Sequence, residues 1–136
     1  MDIREMNKNV IEDFRKNGGR VGGAMAGAPL LLLTTVGAKS GQARVNPLAY
    51  LTDGDRYVII ASYAGSPTNP PWFHNLLAHP RVTVEVGKEK FQADATVLAE
   101  PERTRLYRKM ASILPTFDEY QKKTTRTIPV IALKRA

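Results

Sequence analysis

With 136 residues, 20 Lys+Arg against 13 Asp+Glu and a net charge of +7, the chain is long enough to bury the core of one domain and is biased toward anionic partners: phosphates, nucleic acid or acidic lipid surfaces. The absence of cysteine excludes disulfides, thiolate metal sites and cysteine nucleophiles, and His74 and His79, outside any H-E-x-x-H pattern, give no zinc site. No apolar run reaches the roughly 20 residues of a spanning helix, and the start Met1-Asp2-Ile3-Arg4-Glu5 lacks the basic-then-apolar order of a signal peptide, so a cytoplasmic protein is expected.

Asp2 stands at a capping position, and Ile3, Met6, Val10, Ile11 and Phe14 recur near the helical period, which predicts a helix to about Lys16. Its apolar stripe suits packing on a sheet. An amphipathic helix carrying Arg4, Lys8, Arg15 and Lys16 also suits peripheral contact with the inner face of a membrane. Asn17-Gly18-Gly19 ends the helix. Residues 18–28 hold five glycines, but Gly19-x-x-Gly22 follows no strand and precedes no lysine-serine pair, so the stretch reads as a crossing loop and not as a nucleotide fingerprint.

The apolar run Leu30 to Val36 reads as a strand that leads into Lys39-Ser40-Gly41-Gln42-Ala43-Arg44; the chain resumes with Val45, Pro47, Leu48 and Tyr50 before a turn at Asp53-Gly54-Asp55. Gly37 and Gly41 would let backbone N–H groups face outward together as an anion nest, with Lys39 as a mobile charge and Arg44 as a planar fork of donors. A solvated hairpin tip is the plain alternative, and the turn alone leaves both open.

Arg56 to Ser62, rich in Val and Ile, reads as a central strand, and the loop from Tyr63 to Pro71, with three prolines and a glycine, as irregular. Pro71 then opens a short helix, Trp72 to His79. Arg81 to Val86 and Phe91 to Leu98 form a hairpin around Gly87-Lys88. A helix runs from Pro101-Glu102-Arg103 to about Ile113, Leu114-Pro115-Thr116 breaks it, Phe117 to Gln121 form a helical turn, and Ile128 to Leu133 is the last strand. Lys88, Lys90, Lys122, Lys123, Arg126, Lys134 and Arg135 read as dispersed solubility charge. The expected fold is mainly β with flanking helices (α+β): about six mostly antiparallel strands curled into a small barrel that hides its edges. It is expected to be one domain over residues 1–136, with a helix over 1–17, the glycine-rich loop over 18–28, and the barrel core with its covering helices over 29–136.

Three segments in order resemble the deazaflavin (F420)-dependent nitroreductase and quinone reductase family: Gly37-Ala38-Lys39-Ser40-Gly41-Gln42-Ala43-Arg44-Val45-Asn46-Pro47-Leu48, Ile60-Ala61-Ser62-Tyr63-Ala64-Gly65, and the run from Asn69 to Pro80. The resemblance extends through Pro115 to Pro129 and implies a split β-barrel. It also implies coenzyme F420, a flat deazaflavin ring with a phosphate and an oligoglutamate tail. Carried over by position, Lys39, Ser40, Gly41 and Arg44 hold the phosphate and tail, and Val45, Asn46, Pro47 and Leu48 bring backbone against the ring. Ile60, Ala61, Ser62 and Tyr63 flank the ring, and Pro71, Trp72 and Asn75 close the other side. Each has a simpler alternative: Trp72 as a packing anchor, Asn75 as a brace of the loop, Ser62 bonded to its own backbone, and His74 and His79 as surface or packing residues.

The late region implies the acceptor side. Ala49, Leu114, Phe117 and Tyr120 fall where nitroimidazole-activating members are richer in tyrosine, so a more apolar acceptor such as a quinone is expected; Tyr63 falls where they carry a lysine, which takes one cation from the tail side of the coenzyme site. A proton would come from solvent, Ser62 or Tyr120. The implied activity is hydride transfer from reduced F420 to a quinone-like, nitro or enone small molecule, with the protein supplying placement. Two alternatives stand beside it: an FMN enzyme on the same barrel, and a basic barrel that stacks single-stranded nucleic acid on Tyr50, Tyr57, Trp72 and Phe73. Small barrels of this type commonly pair, so a homodimer is compatible with the sequence.

Overall fold

In the computed structural model the described residues are 3–19 and 29–136; the expected cap at Asp2 and residues 20–28 of the glycine-rich loop lie outside them. Helix α1 (Ile3–Lys16) precedes strands β1 (Leu30–Val36), β2 (Ala43–Ala49), β3 (Leu51–Asp53) and β4 (Arg56–Ile60). A 3-10 turn (Tyr63–Gly65) leads to α2 (Pro71–Ala78), the hairpin β5 (Arg81–Val86) and β6 (Glu89–Val97), α3 (Glu102–Ile113), α4 (Thr116–Lys122) and β7 (Val130–Arg135).

The strands form one sheet in the order β2-β1-β5-β6-β7-β4-β3, and every pairing is antiparallel. Seven strands stand where about six were expected, because the chain breaks at Tyr50, whose N–H donates to Pro29 O (3.1 Å) and leaves the ladder. That break explains the shape. β2 and β3 are opposite edges of the sheet yet neighbours in the chain, so the sheet must curl until both edges meet at Tyr50. The result is a curled half-barrel in which neither edge strand lies far from the other, which limits edge exposure.

Alternation along the strands sorts the apolar side chains into two clusters. Leu31 and Leu33 of β1, Ile59 of β4, Val82 and Val84 of β5, Ala93 of β6, and Ile131 and Leu133 of β7 meet inside the curl, where Trp72, Phe73 and Leu76 of α2 plug one end. The opposite face of β3, β4 and β7 presents Leu51, Val58, Ile60, Val130 and Ala132 to Leu106, Tyr107 and Met110 of α3 and Phe117 of α4. Helix α1 packs on the other half of the sheet, with Phe14 buried and Arg15 making a two-pronged ion pair to Glu85 of β5 (3.2 and 2.9 Å). Among the described residues no helix is long and apolar enough to cross a membrane.

Candidate functional site

The turn between β1 and β2 is built from inside. Gly37 N–H donates to Gln42 O (2.8 Å), Gly41 N–H to Gly37 O (2.9 Å) and Gln42 N–H to Ser40 Oγ (3.2 Å). Gly41 has φ +71°, the left-handed region that favours glycine, and a Cβ at Gly37 would sit 2.5 Å from Ser40 Oγ. The nest expected from the two glycines is therefore corrected: both their amides close the turn itself. Ala38 N–H is also taken, by Asn75 Oδ1 at 3.0 Å, so of the turn amides from Gly37 to Gln42 those of Lys39 and Ser40 remain for a ligand among the described residues. Lys39 and Arg44 stand exposed on either side.

Asn75 reaches this turn from α2. Its Nδ2 donates to Thr35 Oγ1 (3.1 Å) while Oδ1 holds Ala38, and both Asn75 and Thr35 are buried. The amide thus braces the turn. Pro71 opens α2 without needing an N–H partner, and places Trp72 in the interior cluster with one side on a cleft. Exposed His74 packs edge to face on Phe73 and lines the same cleft.

The third wall is the turn after β4. Tyr63 (φ 47°), Ala64 (φ 53°) and Gly65 (φ 79°) are left-handed in succession, and two of them are not glycine. Such backbone costs about 1–3 kcal/mol for each side-chain-bearing residue and persists only where the surroundings impose it. Gly65 is needed here because a Cβ would lie 2.8 Å from Tyr120 O of α4. Tyr63, 46% exposed, projects onto the cleft. Arg126 holds the segment from behind. Its Nε donates to Ser66 O (2.8 Å), Nη1 to Ala61 O (3.1 Å) and Asn69 Oδ1 (2.8 Å), and Nη2 to Ser62 O (2.6 Å). Burial pulls its pKa below the ordinary arginine value, though Tyr107 raises it in part.

These walls and α1 enclose an open cleft of about 1320 Å³. Among the described residues its cations are Lys8, Lys39, Arg44 and Arg15, the last held by Glu85, its carboxylate is Glu12, and exposed Tyr63 and Pro71 supply flat surface beside an edge of the largely buried Trp72. That donor set fits an extended ligand with several negative charges and a planar end, the shape of F420. The periodic run Asn7, Lys8, Ile11, Glu12 and Arg15 gives α1 a cleft-facing side, so two of the cations considered for lipid contact line the cleft instead.

Of the residues expected to bind the coenzyme, Lys39, Ser40, Arg44, Val45, Asn46, Tyr63, Pro71, Trp72 and Asn75 line this cleft. Gly41 shapes the turn, Pro47 pairs with Leu32 in the sheet, and Leu48 packs against the interior cluster. Ile60 and Ala61 are sealed, 6% and 0% exposed, in the outer and inner clusters. Ala61 also gives its N–H to Pro129 O (3.0 Å) and its carbonyl to Arg126, so both residues support the wall and do not form it. Ser62 is half-buried at the head of the 3-10 turn. Ala49, Leu114, Phe117 and Tyr120 come together around the outer cluster, with Tyr120 edge-on to Phe117 (5.4 Å); none lines the cleft. The stacking platform considered for nucleic acid is absent: Tyr50 and Tyr57 pack on each other at 5.6 Å beside the interior cluster, and Trp72 and Phe73 are 5% and 7% exposed.

Sequence reading missed Arg126, taken as dispersed charge, and also Asn69 and the polar side of α1. The signal for Arg126 was its place between Thr124 and Ile128, where Thr124 Oγ1 accepts from its N–H (3.2 Å) and Gln121 Nε2 donates to its carbonyl (2.9 Å). Neither bond is visible without the α4 geometry.

Fold and cleft define a split-barrel protein with a basic, open cleft at one end of the barrel. The model of the family described as F420H(2)-dependent quinone reductase matches residues 6–135, and the chain belongs to that family. An F420H(2)-dependent quinone reductase of Mycobacterium tuberculosis is 40% identical over 126 residues, 90% of this chain and 85% of the relative. Among solved structures, an F420-H2 dependent reductase (FDR-A) is 36% identical with a TM-score of 0.72, covering 78% of this chain and 94% of the other. A protein solved as a domain-swapped dimer is 33% identical with a TM-score of 0.74, covering 97% of this chain and 96% of its own.

Proposed function

We propose that this chain, an oxidoreductase of the F420-dependent quinone reductase family, holds reduced F420 in the cleft between the 37–44 turn, α1 and α2 and serves a quinone as acceptor. The observation that carries the placement is the cleft itself: Lys8, Lys39 and Arg44, with Arg15 already paired to Glu85, against Glu12 among the described residues, along walls that also offer exposed Tyr63 and Pro71. When bound, the coenzyme supplies the hydride-donating carbon of a deazaflavin ring. Everything else is placement by the chain.

Lys39 and Arg44 grip phosphate and tail carboxylates, one as a mobile charge and one as a planar fork, and the free amides of Lys39 and Ser40 add oriented donors. Asn75 acts at one remove, holding Ala38 and Thr35 so that the turn keeps its shape. Pro71 offers a rigid flat surface because Trp72, buried beneath it, anchors α2 in the core. In the 61–65 segment the Ser62 hydroxyl, half-buried and just off the cleft lining, is the candidate proton donor carried over from the family, and the Tyr63 hydroxyl stands beside it on the cleft. Ala49, Leu114 and Tyr120, half-buried around the outer cluster with buried Phe117 and off the cleft lining, are the residues proposed for the acceptor side, more apolar than a nitroimidazole site, with Tyr120 the second candidate proton donor.

The protein works in the cytoplasm in this reading; with Lys8 and Arg15 on the cleft wall, membrane contact through α1 is the weaker part, and sedimentation with anionic vesicles tests it. Because one relative is a domain-swapped dimer, a homodimer is proposed here too, measurable by light scattering. The central test is spectral: F420 oxidation followed with menaquinone analogues, nitro compounds and enones, alongside Trp72 fluorescence titrated with F420 and with FMN. Quenching by F420 and fastest turnover with quinones are expected. Quenching by FMN alone overturns the coenzyme assignment to this cleft, and turnover confined to nitro compounds overturns the acceptor.

A further inference from the structure

We infer that Arg126 is a positioning residue for the coenzyme cleft: its guanidinium spans the left-handed turn after β4 and sets the wall formed by Tyr63 and Asn69. The inference rests on the reading of the cleft as the F420 site. Its geometry starts with which oxygens are bound. Ala61 O and Ser62 O lie before the turn, and Ser66 O and Asn69 Oδ1 after it, so one rigid planar group ties together both ends of a strained segment. Two consecutive non-glycine residues at positive φ need that kind of outside support.

All four acceptors are neutral oxygens, whereas Arg81 is matched with the carboxylate of Asp94 (2.6 Å), so the guanidinium is held here by the backbone and amide it organises. Turning Ser62 and Ser66 carbonyls onto the guanidinium directs their negative ends toward it. Arg126 itself stays off the cleft wall, while Tyr63 and Asn69 are on it. The residue therefore acts through others. Its own backbone is fixed in turn: Gln121 Nε2 donates to Arg126 O, and Arg103 Nη2 donates to Gln121 Oε1 (2.8 Å), so the support runs from α3 through α4 to the cleft.

The test uses the full chain with Arg126→Gln, Arg126→Lys and Asn69→Ala, the last removing one acceptor where the arginine variants fail to fold. In coenzyme-free protein, amide hydrogen exchange over residues 63–69 is expected to accelerate at least about tenfold in Arg126→Gln, the scale of one charge-assisted hydrogen bond, while β1, β5 and β7 stay protected. F420 affinity by Trp72 quenching is expected to fall about tenfold, and added guanidinium ion to restore part of both. Lysine is expected to rescue little, because a point charge does not span four oxygens. Asn69→Ala is expected to speed exchange in the same segment by a smaller factor. Unchanged exchange over 63–69, or acceleration spread evenly over the chain, overturns the inference. If Lys39→Ala and Arg44→Ala both leave F420 affinity intact, the cleft reading fails by itself; if they weaken it and Arg126→Gln does not, only the role of Arg126 fails.

Discussion

At the scale of single residues the site separates groups that touch a ligand from groups that hold them. Lys39 and Arg44 are exposed at the tip, and each is expected to contribute about 1–3 kcal/mol to F420 binding, the range for a hydrogen bond to a charged group. Lys39→Ala and Arg44→Ala should raise Kd in Trp72 quenching accordingly. An unchanged Kd in both would remove them from the site. Asn75 is the other kind. Replacing it with alanine strands Ala38 N–H and the buried Thr35 hydroxyl, and unfolding should become easier by about 1–3 kcal/mol. Denaturant midpoints check this, and a midpoint equal to wild type would show that water replaces the amide at no cost.

Elements carry the next level. α3 is tied to the β3–β4 corner through Arg56, which donates to Asp53 (2.5 Å) and Glu102 (2.6 Å), and through Arg105 to Asp53 (3.4 Å). The bonds from Arg56 and then Arg105 hold the Asp53 carboxyl below its ordinary value of 3.8. For an acid whose folded pKa is depressed, the stabilisation is complete above the unfolded value and disappears as pH falls through the folded one. Stability should therefore decline on acidification below 3.8, and Asp53→Asn should flatten that slope. Unfolding midpoints between about pH 5 and pH 2 measure it. An identical slope in the variant would assign the acid sensitivity elsewhere, for instance to Glu100, whose carboxylate is held low by the Thr104 hydroxyl and N–H at the start of α3.

For the whole molecule, a net charge of +7 surrounds a cleft whose cations face solvent. Raising salt from about 0.1 M to about 1 M shortens the screening length from about 10 Å to about 3 Å. F420 affinity should drop several-fold over that range, with little change in the quinone KM, since that acceptor is uncharged. A flat salt response in coenzyme titrations would mean that flat-surface contact alone holds the ligand. The curl of the sheet matters at the same scale. Because β2 and β3 meet at Tyr50, the basic turn at one edge, α2 plugging the interior and the turn after β4 are brought around one opening.

Local patterns determined much of this. The continuous apolar runs of Leu30–Val36 and the final strand announce strands buried on both faces, and alternation in Arg81–Val86 a half-buried one; Pro71 announces α2; and the run from Lys39 to Arg44 announces a basic hairpin tip, because each depends on near neighbours alone. Tertiary structure decided the rest. Whether Asn75 contacts coenzyme or braces Ala38, and whether Arg126 is surface charge or a clamp on Ala61 to Asn69, turn on partners 37 to 65 residues away. Hydrogen-bond partners at that separation are set by how the sheet closes, and no periodicity in the chain records it.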